Sequence, residues 1–259
     1  MSLVIRELEP HPALRGVIRR ASDFEERAAG PLRRVEAPLL GIVVVVSLGP
    51  DIEVAGERTA SFAAGLWDRP VTTGHFGEQR GYELYLDPLG ARRLLGVPMV
   101  ELANRLVRLE DLLGLRAREL IERLGEAPDA AARHALAQAV LARRLVEGRP
   151  AAPEVAYALG RLRASHGAVR VEALAAEVGW SRRHLASRFR EDVGLAPKAV
   201  ARLARIEHAV TLVRAGRPLA DAAYSAGYAD QPHFNREFRA LVGCAPGEFR
   251  FVQDARSAA

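Results

Sequence analysis

Cysteine, lysine and long hydrophobic runs are nearly missing from this 259-residue sequence. The one cysteine, Cys244, excludes an internal disulfide bond and a metal site built from several cysteines. The one lysine, Lys198, accompanies many arginines, which is typical of a coding bias rather than of function. The most apolar stretch, residues 39–48, has half of the ~20 residues that a membrane-spanning helix needs, and no secretory signal is recognisable. We therefore expect a cytoplasmic protein with no membrane partner.

Catalytic and metal-binding motifs are missing as well. The sequence contains no Gly-x-Ser-x-Gly elbow, no phosphate-binding glycine loop and no His-Glu-x-x-His pair. His11, His75 and His134 lie far apart in the first half, whereas a metal-binding cupin would need clustered His and Glu on its strands. We therefore expect no catalytic residue, no metal site and no cofactor.

The positive charge that is present lies at one end of the chain. Residues 1–152 hold 21 basic and 21 acidic side chains, whereas residues 153–259 hold 16 and 11. The whole excess of +5 therefore belongs to the second part, as a module that contacts phosphates requires. A solvated basic surface would give the same balance, so charge alone supports DNA binding only weakly.

The hydrophobic pattern changes from strand-like to helical near residue 87. Short alternating or β-branched runs predict strands at 39–46, 52–54, 59–64 and 82–86, with turns at 55–57 and 73–74. Helical periodicity predicts helices at 89–95, 99–106, 109–113, 116–124, 129–146, 154–165, 171–178, 182–193, 198–215, 219–226 and 232–242.

The predicted fold class is α+β. A small β-sandwich or barrel-like domain with flanking helices is expected at 1–147, and a linker at 148–153 contains two prolines and a glycine. An all-α domain is expected at 154–252, where two helix-turn-helix motifs are joined by one long helix.

The helical half contains one motif twice. Gly179 corresponds to Gly227 at an offset of 48, and Phe189 corresponds to Phe238 at an offset of 49. The one-residue difference falls in a turn between two helices. A short apolar helix, a glycine-aromatic turn and a second helix with outward polar side chains predict a helix-turn-helix, which places side chains in the DNA major groove.

Each part of the repeat has a physical task. The turn glycines allow the left-handed backbone that ends the first helix. Trp180 and Tyr228 fill the space under the turn, and Ser181 and Asp230 are placed to cap the next helix. His184 and His233 hold equivalent positions, and we interpret them as packing or surface residues because no third metal ligand is near in sequence.

Polar side chains on the outer face of each second helix are the candidate DNA-binding residues. Arginine can donate a bidentate pair to guanine, and Asn or Gln can pair with adenine. A joining helix of ~27 Å would let one chain place both units in successive grooves of a duplex. The candidates are Arg182, Arg183, Ala186, Ser187 and Arg190 in the first unit, and Gln231, His233, Asn235, Arg236 and Arg239 in the second.

Residues 155–251 resemble the DNA-binding domain of the AraC/XylS family of bacterial transcription regulators. The resemblance rests on the string at 227–239, followed by Gly243, Pro246 and residues 249–250. These positions meet the family signature of a glycine-aromatic turn, Gln-x-x-Phe-x-Arg-x-Phe-(Lys/Arg) and Gly-x-x-Pro-x-x-(Phe/Tyr)-Arg. The resemblance implies two recognition helices in adjacent major grooves of promoter DNA, and an activator that contacts RNA polymerase.

The resemblance also assigns base-contacting positions. It places Arg183 and Ser187 on the first helix in these roles, and Gln231, Pro232, Asn235 and Arg236 on the second. Ser187 is shorter than the polar residue of many relatives, and Pro232 offers no hydrogen-bond donor. Base contacts by the first helix therefore rest mainly on Arg182 and Arg183.

Residues 1–147 resemble the small β-rich domain, catalogued as DUF6597, that precedes this helix-turn-helix in many regulators. The resemblance rests on residues 62–66, 89–98 and 108–112 and implies a domain that senses a small-molecule effector or forms a homodimer. Trp67, Arg69 and His75 are candidates for lining an effector pocket, with turn and edge packing as the alternative. The helix at 129–146 would pair with its copy in a dimer or pack on its own β-domain.

Two other functions compete with a sensing regulator. In the first, the N-terminal domain senses nothing and only assembles a DNA-binding scaffold. In the second, the chain is an alkyl-transfer DNA-repair enzyme that shares the helical domain. That chemistry needs several zinc-binding cysteines and a reactive one, whereas only Cys244 exists, so we do not expect an enzyme.

Overall fold

The computed structural model describes residues 2–36 and 39–249. The strands are β1 Ser2–Leu8, β2 Ile18–Glu36, β3 Ile42–Ser47, β4 Ile52–Val54, β5 Glu57–Thr59, β6 Phe62–Ala64, β7 Val71–Leu86 and β8 Leu106–Arg108. The helices are α1 Pro88–Leu95, α2 Leu109–Leu113, α3 Leu115–Glu126, α4 Ala130–Glu147, α5 Pro153–Ala164, α6 Val171–Glu177, α7 Arg182–Val193, α8 Pro197–Arg214, α9 Leu219–Ser225 and α10 Gln231–Val242. Short 3-10 turns lie at Pro12–Leu14 and Met99–Glu101. Across these two ranges, no helix has the length and apolarity to cross a membrane.

All strands form one antiparallel sheet in the order β1-β2-β7-β3-β6-β8, with β4 paired to β5 and to β7. Its centre is the pair of long strands β2 and β7, which run side by side from Ile18 opposite Leu86 to Glu36 opposite Val71. The register of this pair shifts between Ala28 and Leu32, and such a bulge increases the local bend of a strand. The predicted α+β fold class is confirmed.

The two faces of the sheet have different partners, as β3 shows. Ile42, Val44 and Val46 are buried against the helices, whereas Val43 and Val45 line a cavity on the opposite face. Successive side chains of a strand point to opposite faces, so a continuous β-branched run of this kind indicates a strand with both faces covered.

Helices α1, α3 and α4 cover the face opposite the cavity. The Asp87 carboxylate caps α1 by accepting the backbone N–H of Leu89 at 2.9 Å. Helix α4 is held to the sheet by an ion pair from Arg133 to the buried Asp23 and by contact of His134 Nδ1 with the Tyr82 hydroxyl at 2.8 Å. Of the two roles expected for this helix, packing on its own β-domain is therefore observed, and pairing in a homodimer stays a prediction.

One buried apolar cluster runs from the sheet through α1 into the helices of the second half. Two ion pairs cross the same contact, from Arg92 on α1 to Asp192 on α7 and from Arg163 on α5 to Asp87. The first helix-turn-helix therefore packs directly on the N-terminal half. The domain boundaries at 1–147, 148–153 and 154–252 stay predictions.

Three expectations about local structure were wrong. The strand expected at 59–64 is divided between β5, which ends at Thr59, and β6, which begins at Phe62. β1 and the first part of β2 were not predicted, because frequent charges hide their strand alternation. The turn expected at 73–74 lies inside β7, where Gly74 pairs with Arg33 and leaves room for the Leu32 carbonyl. The helix expected at 99–106 is a single 3-10 turn, because Asn104 has a φ of 55° and turns the chain into β8.

Burial of the aromatic side chains should dominate the stability of the helical half. Phe189 is fully buried, so Phe189→Ala should lower the free energy of unfolding by ~3–5 kcal/mol, because it leaves a cavity in the core. The matched control is Phe76→Ala on β7, whose side chain is 69% exposed and should change stability by less than ~0.5 kcal/mol. Urea denaturation of the full chain measures both, and equal losses would contradict the burial argument.

Candidate nucleic-acid interface and cavity

The first helix-turn-helix consists of α6, a turn and α7. Gly179 has a φ of 69°, the left-handed conformation that the turn was expected to need. The Ser181 hydroxyl then caps α7 by accepting the backbone N–H of His184 at 3.1 Å. Both local predictions are confirmed for this unit.

The second unit repeats this geometry with α9 and α10. Gly227 has a φ of 78°, and the Asp230 carboxylate caps α10 by accepting the backbone N–H of His233 at 2.6 Å. Pro232 lies in the first turn of α10, where a missing N–H costs no helical hydrogen bond. The same local physics therefore sets the direction of both second helices.

A buried stripe fixes which face of each second helix points outward. Leu185 and Phe189 are buried on α7, and Phe234 and Phe238 are buried on α10, four residues apart in each case. The opposite face of each helix is consequently left in solvent, where its side chains are available to a duplex.

The predicted DNA-binding side chains share this outward face. All ten are exposed, namely Arg182, Arg183, Ser187, Arg190, Gln231, Pro232, His233, Asn235, Arg236 and Arg239. Ala186, which the sequence also placed on this face, is half-buried. The structure thus gathers the candidates on two helix faces, and their contact with DNA stays a prediction.

The arginines on these helices differ in their ion pairs. Arg182 is bound to Glu172 on α6 at 2.9 Å, and an exposed pair of this kind is weak enough to be exchanged for a phosphate. In the described part of the chain, no carboxylate forms an ion pair with Arg183, Arg190 or Arg236. These three guanidinium groups can therefore bind a nucleic acid without first breaking an ion pair.

The two equivalent histidines pack against the turn aromatics. The ring centroids of Trp180 and His184 are 4.5 Å apart, and those of Tyr228 and His233 are 5.3 Å apart, both in edge-to-face geometry. Both histidines are also exposed, so the structure supports their interpretation as packing or surface residues. Within residues 2–36 and 39–249, no group of three or more His, Cys, Asp or Glu is placed to hold a metal ion.

Helix α8 joins the two units and is buried along most of its length. Its 18 residues span ~27 Å. Arg202 on α8 binds Glu237 on α10 at 2.5 Å, and Arg205 lies 3.9 Å from the same carboxylate. Burial, together with the nearby Glu237, raises the pKa of the Tyr228 hydroxyl, which keeps this phenol neutral. The orientation of α10 on α8 is therefore fixed by charge as well as by packing.

The repeats differ where the first unit touches the N-terminal half. At the offset of 49, Asp192 on α7 corresponds to Leu241 on α10, and both are buried. Asp192 accepts hydrogen bonds from the Arg92 guanidinium and from the backbone N–H of Ala152. Sequence reasoning missed this residue. Its signal was an acidic residue at a repeat position where the other copy is apolar.

The second face of the sheet encloses a cavity of about 500 Å³. Its wall is mostly apolar and includes Phe24, Val43, Val45, Ile52, Val54, Phe62 and Val71. All three residues that the sequence proposed for an effector pocket, Trp67, Arg69 and His75, line this cavity. Arg69 lies over the Trp67 ring, 5.2 Å from its centroid. The structure therefore brings these residues together, and effector binding by them stays a prediction.

A buried polar cluster forms one part of the cavity wall. Glu26 accepts hydrogen bonds from both terminal nitrogens of Arg34 and lies 3.0 Å from Nε2 of His75. Burial alone would raise the pKa of Glu26, but the hydrogen bonds from Arg34 and His75 outweigh it and hold this pKa below 4.5. Glu26 is therefore ionised at neutral pH and fixes the positions of both partners.

The two exposed second helices, each preceded by a glycine-aromatic turn, define the class of a helix-turn-helix DNA-binding protein. Residues 174–251 match the family model described as a helix-turn-helix domain. The C-terminal region is an AraC-type helix-turn-helix domain, and this supports a DNA-binding transcription regulator. The DUF6597 resemblance of the N-terminal half stays a prediction.

Solved structures of ToxT share the fold over most of this chain. ToxT from Vibrio cholerae is 11% identical, has a TM-score of 0.53 and covers 89% of this chain and 98% of its own. ToxT bound to (E)-4-(8-methylnaphthalen-1-yl)but-3-enoic acid has a TM-score of 0.52 at the same identity and coverage. The C-terminal domain of AraT, a response regulator from Geobacillus stearothermophilus, is 22% identical with a TM-score of 0.37 and covers 39% of this chain and 86% of its own. None of the curated proteins compared gives a significant match. The ToxT similarity establishes the two-part fold.

The ionised Glu26 should make stability depend on pH in one direction. A carboxyl with a lowered pKa stabilises the fold above its unfolded value, and this contribution is lost as pH falls through the folded value. Glu26→Gln should therefore be less stable than the parent at pH 7, and the difference should shrink below pH 4.5. The matched control is Glu78→Gln, which removes an exposed ion pair with Arg27 and should have little effect. Thermal unfolding of the parent and both variants between pH 7 and about pH 4 tests this expectation. A stability difference between the parent and Glu26→Gln that grows on acidification would contradict a lowered pKa of Glu26.

Proposed function

We propose that the protein activates transcription by placing α7 and α10 in two successive major grooves of promoter DNA. The observation that carries this proposal is the exposure of all ten candidate side chains on two helices that one buried helix, α8, holds in a fixed relation. A major groove admits one α-helix, and the ~27 Å length of α8 is comparable to one turn of a duplex, ~34 Å.

The two kinds of contact have different tasks in this mechanism. Phosphate contacts by basic side chains give affinity that falls with salt, and residues near the start of each helix contact base edges. Arg183, Gln231, Asn235 and Arg236 are the residues to which we assign base contacts. Arg190 and Arg239, further along each helix, are assigned to phosphates.

Contact with RNA polymerase beside the promoter is the proposed means of activation. Its support is the resemblance of the helical half to AraC/XylS regulators, together with the match of residues 174–251 to a helix-turn-helix domain. We also propose that the protein acts in the cytoplasm, where promoter DNA and polymerase are present.

The cavity in the sheet is proposed to bind a small-molecule effector. Its support is a largely apolar space of about 500 Å³ with a charged cluster in its wall, a size and composition typical of small-molecule sites. ToxT, which shares this two-part fold, has been solved with a bound naphthalenyl butenoic acid. A domain that only assembles the protein would not need such a space, so we favour a sensor over a scaffold.

The base contact assigned to Arg236 can be tested by substitution. Arg236→Ala should weaken binding by ~1–3 kcal/mol and relax base preference at one position of the operator, because a bidentate pair with guanine is lost. The control is Arg143→Ala on α4, an exposed arginine outside both recognition helices, which should leave binding unchanged. Titrations against single-base operator variants measure both. An equal loss on every sequence would reassign Arg236 to phosphate.

Two-groove binding predicts the form of the operator. Selection of preferred sites from random duplex DNA by the full chain should enrich two short conserved boxes about one helical turn apart, ~10 base pairs. Each box should depend on one helix, so Arg183→Ala should weaken preference in one box and Asn235→Ala in the other. A single enriched box would show that one unit does not contact bases. Salt-sensitive binding without any enrichment would contradict sequence-specific regulation.

A further inference from the structure

A three-residue segment separates the cavity from the DNA-binding helices. Leu39 and Gly41 line the cavity, whereas Leu40 between them is fully buried on the other side. We name residues 39–41 the strap. The strap therefore has one surface toward the cavity, at Leu39 and Gly41, and one toward the helices, at Leu40, which belongs to the apolar cluster shared with them.

The helix-facing side of the strap is bound to both α5 and α8. The backbone N–H of Leu40 donates to Oε1 of Glu207 on α8 at 3.2 Å. The Leu40 carbonyl accepts from the Arg163 guanidinium of α5 at 3.4 Å. The backbone N–H and the carbonyl of this one residue are therefore both partnered by charged side chains of the DNA-binding half.

Tyr85 packs closely against the strap at Gly41. Its hydroxyl donates to the same Glu207 oxygen at 3.3 Å. A methyl group added at Gly41 would lie 2.2 Å from the Tyr85 ring and 2.8 Å from the Leu86 carbonyl. Gly41 is therefore packed directly against Tyr85, so the strap cannot shift at this point unless Tyr85 moves too, and such a movement disturbs the hydrogen bonds at Glu207.

Glu207 belongs to the helix that joins the two DNA-binding units. Helix α8 follows α7 along the chain and precedes α9. Arg163 is in turn paired with Asp87, the cap of α1. The strap is therefore connected by hydrogen bonds to α8, which joins both units, and through Arg163 and Asp87 to α1, which contacts α7.

We propose that the strap couples occupancy of the cavity to DNA binding, with the Glu207 carboxylate as the acceptor that transmits the change to α8. This inference rests on the proposed function, since it assigns the regulation of the same DNA-binding site. Leu40, Tyr85 and Glu207 are positioning residues in this device and touch neither effector nor DNA.

A substitution that fills the cavity stands in for a bound effector, so the experiment does not require the identity of the effector. Ala64→Phe places a ring in the cavity from β6, on the cavity-facing side away from the helices. Glu207→Ala removes the acceptor, whereas Glu207→Gln keeps an acceptor oxygen at the same place. Both Glu207 changes remove one negative charge, so both alter the attraction of the protein for DNA phosphates equally. The two variants differ only in whether the hydrogen bonds at this position can form.

The experiment is a double-mutant cycle on the full chain, read as the Kd for the operator selected by the parent protein. Ala64→Phe should change this Kd at least ~fivefold in the parent and in the Glu207→Gln background, the lower end of measured allosteric couplings. In the Glu207→Ala background, the same substitution should change the Kd by less than about twofold. Val45→Phe, which fills the cavity from β3, should repeat the pattern.

Each result of this cycle either supports or contradicts the strap as the coupling element. An equal effect of Ala64→Phe in all three backgrounds, or no effect in the parent, overturns the strap as the coupling element. Circular dichroism and thermal unfolding of each variant verify the fold, and Val45→Phe replaces Ala64→Phe if the latter does not fold. If the parent chain enriches no duplex, the proposed function itself fails before the cycle begins, so the two failures are distinguishable.

Discussion

Burial of α8 is the constraint on which the other features of the helical half depend. Val200, Leu203, Ile206, Val210 and Val213 are buried along this helix and give both helix-turn-helix units a common core. The apolar faces of α6, α7, α9 and α10 are short, and short helices gain most of their stability from tertiary packing. The buried side chains of α7 and α10 hold these helices in one orientation, so the side chains on the opposite faces point outward in a defined direction.

The two faces of the sheet border different interiors of the protein. On one face its side chains continue the cluster that reaches the DNA-binding helices, and on the other they surround a cavity. Buried acidic side chains of this sheet are tolerated because they are paired, Glu26 with Arg34 further along β2 and Asp23 with Arg133 on α4. The same pairing gives the cavity a fixed polar region within an apolar wall.

Sequence reasoning predicted the helical half well because its signals are local. The turn glycines, the caps at Ser181 and Asp230, and the outward face of each second helix follow from spacing alone. The first strands were not predicted, since the charges of β2 are neutralised by residues distant in sequence, such as Arg133. Pairing between α1 and α7, and the position of Glu207 behind the strap, likewise depend on how the halves pack. No local pattern carries that information.

The two copies of the motif are attached to the rest of the chain by different forces. In α7, the buried Asp192 forms an ion pair with Arg92 on α1, whereas the matching position in α10 is the buried and apolar Leu241. The end of α10 approaches the N-terminal half at Gly243, next to Val35 and Pro70. The first unit is therefore anchored to the other half by charge, which has a fixed direction, and the second meets it through small apolar groups, which do not impose one.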